Sequence, residues 1–125
     1  MTIAAAMDRV QRMKPSRYTP RDMMGWLDEL DGRIWREIIL THEGKDPEAD
    51  YEGYDQETNP ETILLVPYPY DGLYEHWMAC KIDQGNMELG KYENDRILFN
   101  NAFEEYANWY NAHHMPLKLV DEFRF

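Results

Sequence analysis

The spacing of apolar and polar residues predicts a chain of amphipathic helices separated by proline and glycine. Thr2 can cap a first helix, and Pro15 ends it because the residue before a proline is disfavoured in the helical region. The apolar positions of this helix are Ile3, Ala6, Met7, Val10 and Met13. The first helix is therefore predicted to be short, with one apolar face.

A second, longer helix is predicted to begin after Thr19. This residue offers a capping hydroxyl, Pro20 suits the first helical position, and Asp22 places an acid in the first turn. The apolar stripe follows steps of three and four and consists of Met23, Leu27, Leu30, Ile34 and Ile38. We expect this helix to run to about Thr41.

Residues 42–61 are acidic, contain Gly and Pro, and show no apolar period, which is typical of a loop. Loops of this length in compact domains are either functional or disordered. Tyr51 and Tyr54 are unusual in a purely solvated linker. We interpret these two tyrosines as candidate contacts with another chain.

The stretch LLVPYPYDGLYEHW combines a strand-like run with two prolines and a third helix. Residues 62–66 are predicted to be extended, Pro67 keeps the chain out of a helix, and Pro69 suits the first helical position. The apolar face of the helix is Leu73, Tyr74, Trp77, Met78 and Ile82. The two prolines are expected to fix the angle at which the loop returns.

The third and fourth helices are predicted to form a hairpin at Gly85 and Asn86. The glycine would supply a left-handed residue and the asparagine the next cap. The last helix, about 87–113, has an apolar stripe of Tyr92, Phe99, Phe103, Tyr106 and Tyr110, flanked by Leu98, Ala102 and Trp109. Pro116 prevents its continuation.

The predicted fold class is all-α: a small bundle of about four helices with a long acidic loop, a short extended segment and an extended C-terminal tail. Residues 1–116 would form one domain and residues 117–125 the tail. We expect one core that contains Trp26, Leu30, Ile34, Trp77, Phe99, Phe103 and Tyr106. The candidate partner contacts in the tail are Leu119, Val120, Phe123 and Phe125.

The composition describes one acidic domain of 125 residues with a formal net charge of -11. Acids outnumber Lys and Arg by 24 to 13, which argues against binding nucleic acid through its phosphates. The single cysteine, Cys80, is interpreted as a buried structural residue. No signal peptide or membrane-spanning stretch is predicted, so we expect a protein made and kept in a cytosol.

Candidate chemistry is sparse in this sequence. A calcium-loop template covers Asp46, Glu48, Asp50, Glu52 and Glu57, but the turn position that needs glycine is occupied by Tyr51. Adjacent helical residues such as His113 and His114 point about 100° apart, so they favour contact with the helix end over shared metal binding. We predict no metal, no cofactor and no enzymatic activity.

Three segments, LDGRIWREIILTH, VPYPYDGLYEHW and FNNAFEEYANWYN, resemble a group of small proteins encoded by tailed phages and prophages of Gram-positive bacteria. The likeness runs from Pro15 to Pro116 and is to head-tail connector, or head completion, proteins. It implies a structural virion protein, made in the bacterial cytoplasm, that forms a homo-oligomeric ring in the neck. The implied partners are the portal protein and a tail-side neck protein, while DNA passes without specific binding.

Two other functions stay open from the sequence. An acidic phage-encoded inhibitor could imitate DNA and occupy a host nucleic-acid enzyme. Its acids should be spread over helix surfaces, whereas eight of the 24 acids here lie between Glu43 and Glu61. A small helical metal-dependent hydrolase ranks third, because it would need carboxylates such as Glu37 and Glu75 to meet at one metal.

Overall fold

A computed structural model describes residues 1–41 and 51–114. In these ranges the chain forms four α-helices and no strand: α1 Ile3–Met13, α2 Pro20–Ile34, α3 Leu73–Gly85 and α4 Leu89–His113. A π-helical turn, Trp35–Ile39, extends α2, and a 3-10 turn, Tyr70–Gly72, precedes α3. The predicted all-α fold class is confirmed.

The starts of α1 and α2 follow the predicted caps. The Thr2 hydroxyl accepts a hydrogen bond from the Ala5 amide at 3.1 Å. Thr19 and Asp22 form a reciprocal capping box, with distances of 3.3 Å and 3.0 Å between each side chain and the other residue's amide. These bonds satisfy amide groups that have no partner inside the helix.

The helical path that begins at α2 ends close to the predicted residue but with a wider last turn. The Leu40 amide donates to the Trp35 carbonyl, five residues back, at 2.9 Å. Such π-helical turns depend on packing around the helix and have no simple signature in apolar spacing.

The junction between α3 and α4 differs from the prediction. Gly85 is the last residue of α3, and the left-handed residue is Met87, with φ 59°. The Met87 and Glu88 amides donate to the carbonyls of Gln84 and Asp83, which is the Schellman pattern of a helix end. Glu88, and not Asn86, precedes α4, and its side chain makes no capping bond.

The presence of glycine at position 85 is explained by the close approach of the Tyr18 side chain and not by the backbone angle of Gly85. A Cβ atom at this position would lie 2.8 Å from Tyr18 Cζ and would overlap the Tyr18 hydroxyl. The glycine therefore makes room for an aromatic ring from the α1–α2 connection. Sequence spacing could not show this contact, because the two residues are far apart along the chain.

The start of α3 also lies later than predicted. Pro69 precedes the 3-10 turn, and the regular helix begins only at Leu73. The Tyr68–Pro69 peptide bond is cis. The side chain of Tyr68 is 85% exposed.

One hydrophobic core joins the helices, as predicted. Leu30, Ile34, Phe99 and Tyr106 are buried in it, and Trp26, Trp77 and Phe103 are partly buried against it. α3 packs against each of the other three helices and so occupies the centre of the described bundle. None of the helices in the described ranges combines the length and apolar character needed to cross a bilayer.

Met13, assigned to the apolar stripe of α1, and Leu98, placed beside the stripe of α4, lie outside this core. Met13, at the end of α1, is 49% exposed, and Leu98, on α4, is 41% exposed. Both follow helical spacing, but no other described helix covers the sides of α1 and α4 on which they lie. Burial of these positions was therefore predicted wrongly.

The extended segment at residues 62–66 pairs with the N-terminus. The Ile3 amide donates to the Thr62 carbonyl at 3.0 Å, and the Leu64 amide donates to the Met1 carbonyl at 2.9 Å. Through this antiparallel bridge the predicted extended segment pairs with the residues before α1. It brings the returning loop against the start of α1.

Candidate functional site

The most unusual feature of the described structure is a buried carboxylate on α2. Asp31 is 0% exposed, yet its two oxygens accept three hydrogen bonds. Tyr54 Oη donates to Oδ2 at 2.5 Å, Tyr74 Oη donates to Oδ1 at 2.6 Å, and the Leu65 amide donates to Oδ2 at 3.2 Å. A buried carboxylate is costly unless it is bonded in this way.

The Asp31 network connects three parts of the chain. Tyr74 lies on α3, and its hydroxyl also accepts a hydrogen bond from the Val66 amide at 2.9 Å. Tyr54 lies in the returning loop, and Leu65 lies in the extended segment that follows it. One carboxylate therefore fixes the loop, the extended segment and α3 to α2.

The pKa values of this network are shifted by burial. Burial raises the pKa of Asp31 above its ordinary value of 3.8, although the hydrogen bonds from Tyr54, Tyr74 and Leu65 oppose this change. Burial and the nearby Asp31 charge raise the pKa of Tyr74 well above its usual range. The tyrosine hydroxyls consequently keep their protons and act as donors.

A second carboxylate on α2, Asp28, holds the start of the returning segment. Its Oδ1 accepts a hydrogen bond from the Tyr54 amide at 2.9 Å. Gly53 adopts φ 75°, and a Cβ atom there would lie 2.9 Å from the same oxygen. This position therefore favours glycine for both its backbone angle and its space.

The Tyr51 ring packs beside the same face of α2. A Cβ atom at Gly32 would lie 3.5 Å from Tyr51 Cε2, and the Tyr51 and Tyr54 rings meet edge to face with centroids 5.7 Å apart. Asp28, Asp31 and Gly32 are three and four residues apart, so they share one face of the helix. We call Asp28, Asp31, Tyr54 and Tyr74 the loop anchor.

The structure places the predicted contact residues in two groups. Tyr51 and Tyr54 are half-buried against their own chain, with the Tyr54 hydroxyl directed to Asp31. Leu119, Val120, Phe123 and Phe125 lie outside the described residues. Contact of any of these residues with a partner stays a prediction.

Sequence reasoning missed Asp28 and Asp31 and treated Tyr74 only as an apolar residue. One signal was available, because Asp31 is four residues after Leu27 and three before Ile34, both on the apolar stripe. An acid at such a position requires a polar partner when the stripe is buried. The identity of the partners could not be read from the pattern.

The described part of the acidic loop contains local turns. The Asp55 amide donates to Thr58 Oγ1 at 2.8 Å, and the Glu57 amide donates to Asp55 Oδ1 at 2.8 Å. Glu52 and Glu57, from the calcium template, are exposed, and the other three template residues lie outside the described ranges. Within those ranges no group of three His, Cys, Asp or Glu could hold a metal ion.

Another polar cluster joins α1 to the α3–α4 hairpin. Lys14 Nζ donates to Asp83 Oδ1 at 2.5 Å and to Asp95 Oδ2 at 2.8 Å. Asp83 is fully buried, and burial together with hydrogen bonding to Asp95 raises its pKa. Burial and the nearby carboxylates raise the pKa of the Cys80 thiol to about 11. These properties are those of a structural cluster with a protonated, buried thiol.

Other candidate chemical groups have local partners. Glu37 pairs with Arg33 and Glu75 pairs with Arg9, so each belongs to a separate surface ion pair. His113 Nδ1 lies 2.8 Å from the Trp109 carbonyl, and His114 Nδ1 lies 3.1 Å from the Tyr110 carbonyl. The two histidines contact the C-terminal turn of α4, as their position predicted.

The fold and the loop anchor define a small all-α bundle that carries a partly anchored acidic loop. Comparisons of the chain with protein-family models, with curated proteins and with solved structures found no match. The functional proposals therefore rest on the residues themselves and on the resemblance of the three sequence segments.

Proposed function

We propose that this chain is a structural virion protein, a head-tail connector of a tailed phage. Copies of the chain would form a ring beneath the portal, seal the DNA-filled head and provide the surface to which the tail attaches. Its partners would be neighbouring copies, the portal protein and a tail-side neck protein. The role needs no catalytic step.

The observation that carries this proposal is an acidic surface held in place by the loop anchor. Asp28 and Asp31 tie the returning segment to α2, while Glu52, Glu57 and Glu61 remain exposed. A passage for DNA needs a surface that repels phosphates, because Lys and Arg would bind the duplex as it moves. Fixed carboxylates supply that repulsion without binding.

The tail adds the contact surface that a ring subunit needs. Leu119, Val120, Phe123 and Phe125 are apolar, and we propose that other subunits cover them in the virion. Segments that project to neighbours are a common way to join subunits of a closed ring. We assign these tail residues to contacts with a neighbour or with the portal.

Deletion of residues 118–125 in a phage tests the proposal. Among the described residues the buried core ends at Tyr110, so the helices should keep their melting temperature by circular dichroism. The phage should produce DNA-filled heads that leak or fail to join tails, as counted by electron microscopy. Normal numbers of infectious tailed particles would reject the connector role.

One observation favours the inhibitor as the second candidate. Residues 51–114 contain twelve acids and three Lys or Arg, so acidity extends from the loop into the helices. Mass spectrometry of purified virions separates the two functions. A connector should be present in every particle, whereas an inhibitor should be absent from particles and should bind a host nucleic-acid enzyme.

A further inference from the structure

The outer side of α4 is an exposed strip without a partner in the described structure. α4 packs on α3 and on the Tyr70–Gly72 turn, and its other side faces away from both. This strip, spaced by three and four residues, consists of Ile97, Leu98, Asn101, Glu104, Glu105 and Asn108. Four of these residues, from Asn101 to Asn108, line a shallow depression of about 270 Å³.

The α4 strip offers both apolar and acidic groups to a partner. Ile97 is 50% exposed and Leu98 is 41% exposed. Within the described ranges Glu104 and Glu105 have no ion-pair partner, in contrast to Glu93 on the same helix, which pairs with Arg96. A complementary surface should therefore carry an exposed apolar residue beside free or weakly held basic groups.

The end of α1 provides that combination. Met13 is 49% exposed, and the Arg12 side chain is 79% exposed. Gln11 Nε2 donates to the Ser16 carbonyl at 3.1 Å, which ties the residue before Arg17 to the last turn of α1. We call Arg12, Met13 and Arg17 the α1 tip.

The basic groups of the α1 tip are available for a new contact. Arg12 is held only by an exposed ion pair with Asp8 at 2.7 Å, a type of pair that solvent screens strongly. Arg17 is exposed and has no ion-pair partner among the described residues. Little binding energy would be lost when either arginine turns to another carboxylate.

Acidic and basic residues are distributed unevenly between the part of the chain that contains the α1 tip and the part that contains the α4 strip. Residues 1–41 contain seven Lys or Arg and six acids, whereas residues 51–114 contain three and twelve. Both the α1 tip and the α4 strip are exposed in the folded chain, so they do not cover one another within it. They can meet only between two copies.

We propose that the α1 tip of one copy binds the α4 strip of a second copy. Arg12 and Arg17 would face Glu104 and Glu105, with Met13 against Ile97 and Leu98. Two different surfaces meet in this contact, so repetition gives a ring where the rotation closes and a filament where it does not. Only the closure into a neck ring rests on the proposed function, because pairing of the purified chain does not depend on it.

A charge-exchange experiment on the full chain tests the contact. Variant one is Arg12→Glu with Arg17→Glu, and variant two is Glu104→Arg with Glu105→Arg. Each variant alone places like charges opposite each other and should associate at least about tenfold more weakly than the original chain in sedimentation velocity. An equimolar mixture should regain the original association, because each altered face then meets a face of opposite charge.

Control variants separate this contact from a general effect of charge. Arg21→Glu with Arg36→Glu, and Glu57→Arg with Glu61→Arg, make the same changes in net charge at other exposed positions. They should change association less than threefold. Thermal melts establish that each variant folds. If variant one does not fold, Arg12→Gln with Arg17→Gln replaces it and is expected to weaken association by a smaller factor.

Several outcomes would overturn the contact. The contact would be rejected if the original chain stays monomeric at millimolar concentration or if the mixture of folded variants does not associate. It would also be rejected if the control variants weaken association as much as variants one and two. Loss of the contact would leave the connector proposal standing if deletion of residues 118–125 still blocks tail joining. A confirmed contact with normal virions after that deletion would instead reject the connector role alone.

Discussion

Tyr74 Oη lies 2.6 Å from Asp31 Oδ1, across a sequence separation of 43 residues. Both side chains are fully buried, and the same hydroxyl accepts a hydrogen bond from the Val66 amide. The bond therefore links α2, α3 and the extended segment through one point. Removal of a partner would leave a buried carboxylate oxygen short of a donor, which costs more than the bond itself contributes.

Tyr74→Phe is therefore expected to lower the free energy of unfolding by about 1.5 to 3 kcal/mol, the range for hydrogen bonds to charged groups. Urea titration followed by circular dichroism measures this change. Tyr70→Phe serves as a control, since no bond to Asp31 is lost there. Equal stability of the Tyr74 variant and the original chain would contradict the role of the loop anchor.

The pH dependence of stability should carry a signature of Asp31. Its pKa is raised above 3.8 in the folded chain, so the folded state binds the proton more tightly than the unfolded state. The stability that protonated Asp31 contributes is present below pH 3.8 and is lost as the pH rises through the pKa of Asp31 in the folded chain. The difference in unfolding free energy between the original chain and Asp31→Asn should fall over that interval. A difference that rises with pH would show that the three donors outweigh burial.

Gly85→Ala should destabilise the chain because its Cβ atom would collide with Tyr18. Overpacking of this kind costs about 1 to 3 kcal/mol, and Tyr18→Ala should recover part of the loss in a double variant. Gly90→Ala is the control, since a Cβ atom there would meet no neighbouring atom within 4 Å and replacing a helical glycine stabilises by about 0.5 to 1 kcal/mol. Melting temperatures that fall equally for both variants would contradict this explanation of Gly85.

The core predicts unequal effects for two truncations. Leu30→Ala should cost about 2 to 5 kcal/mol, because the side chain is fully buried and leaves a cavity. Phe103→Ala should cost less, since its ring is only partly buried, although it also loses the Arg33 guanidinium 4.7 Å above it. Denaturant titration of both variants measures which one loses more free energy of unfolding. A larger loss for Phe103→Ala would indicate that the ring is covered by another subunit.

A chelator should leave folding unchanged. The described ranges contain no group of three metal-ligating side chains, and the calcium template lacks glycine at its turn position. The melting temperature in excess EDTA should equal that in added calcium. A clear fall on chelation would place a metal site in the chain and would reopen the hydrolase hypothesis.

The sequence by itself determined the features that depend on neighbouring residues. The caps at Thr2 and Thr19 form because a hydroxyl reaches an amide three residues ahead, and helical spacing marks most of the core. The all-α class follows from the same local signals. These interactions are encoded within a few residues of each other.

Tertiary structure alone decided the contacts between distant residues. Asp31 is buried because Tyr54 and Tyr74 supply donors from segments 23 and 43 residues away, and Gly85 is required because Tyr18 packs on it. Spacing marks which side of a helix is apolar but not whether another element covers it, so Met13 follows the stripe of α1 and yet stays 49% exposed. The position of each element in space determines which polar group finds a partner and which apolar group finds none.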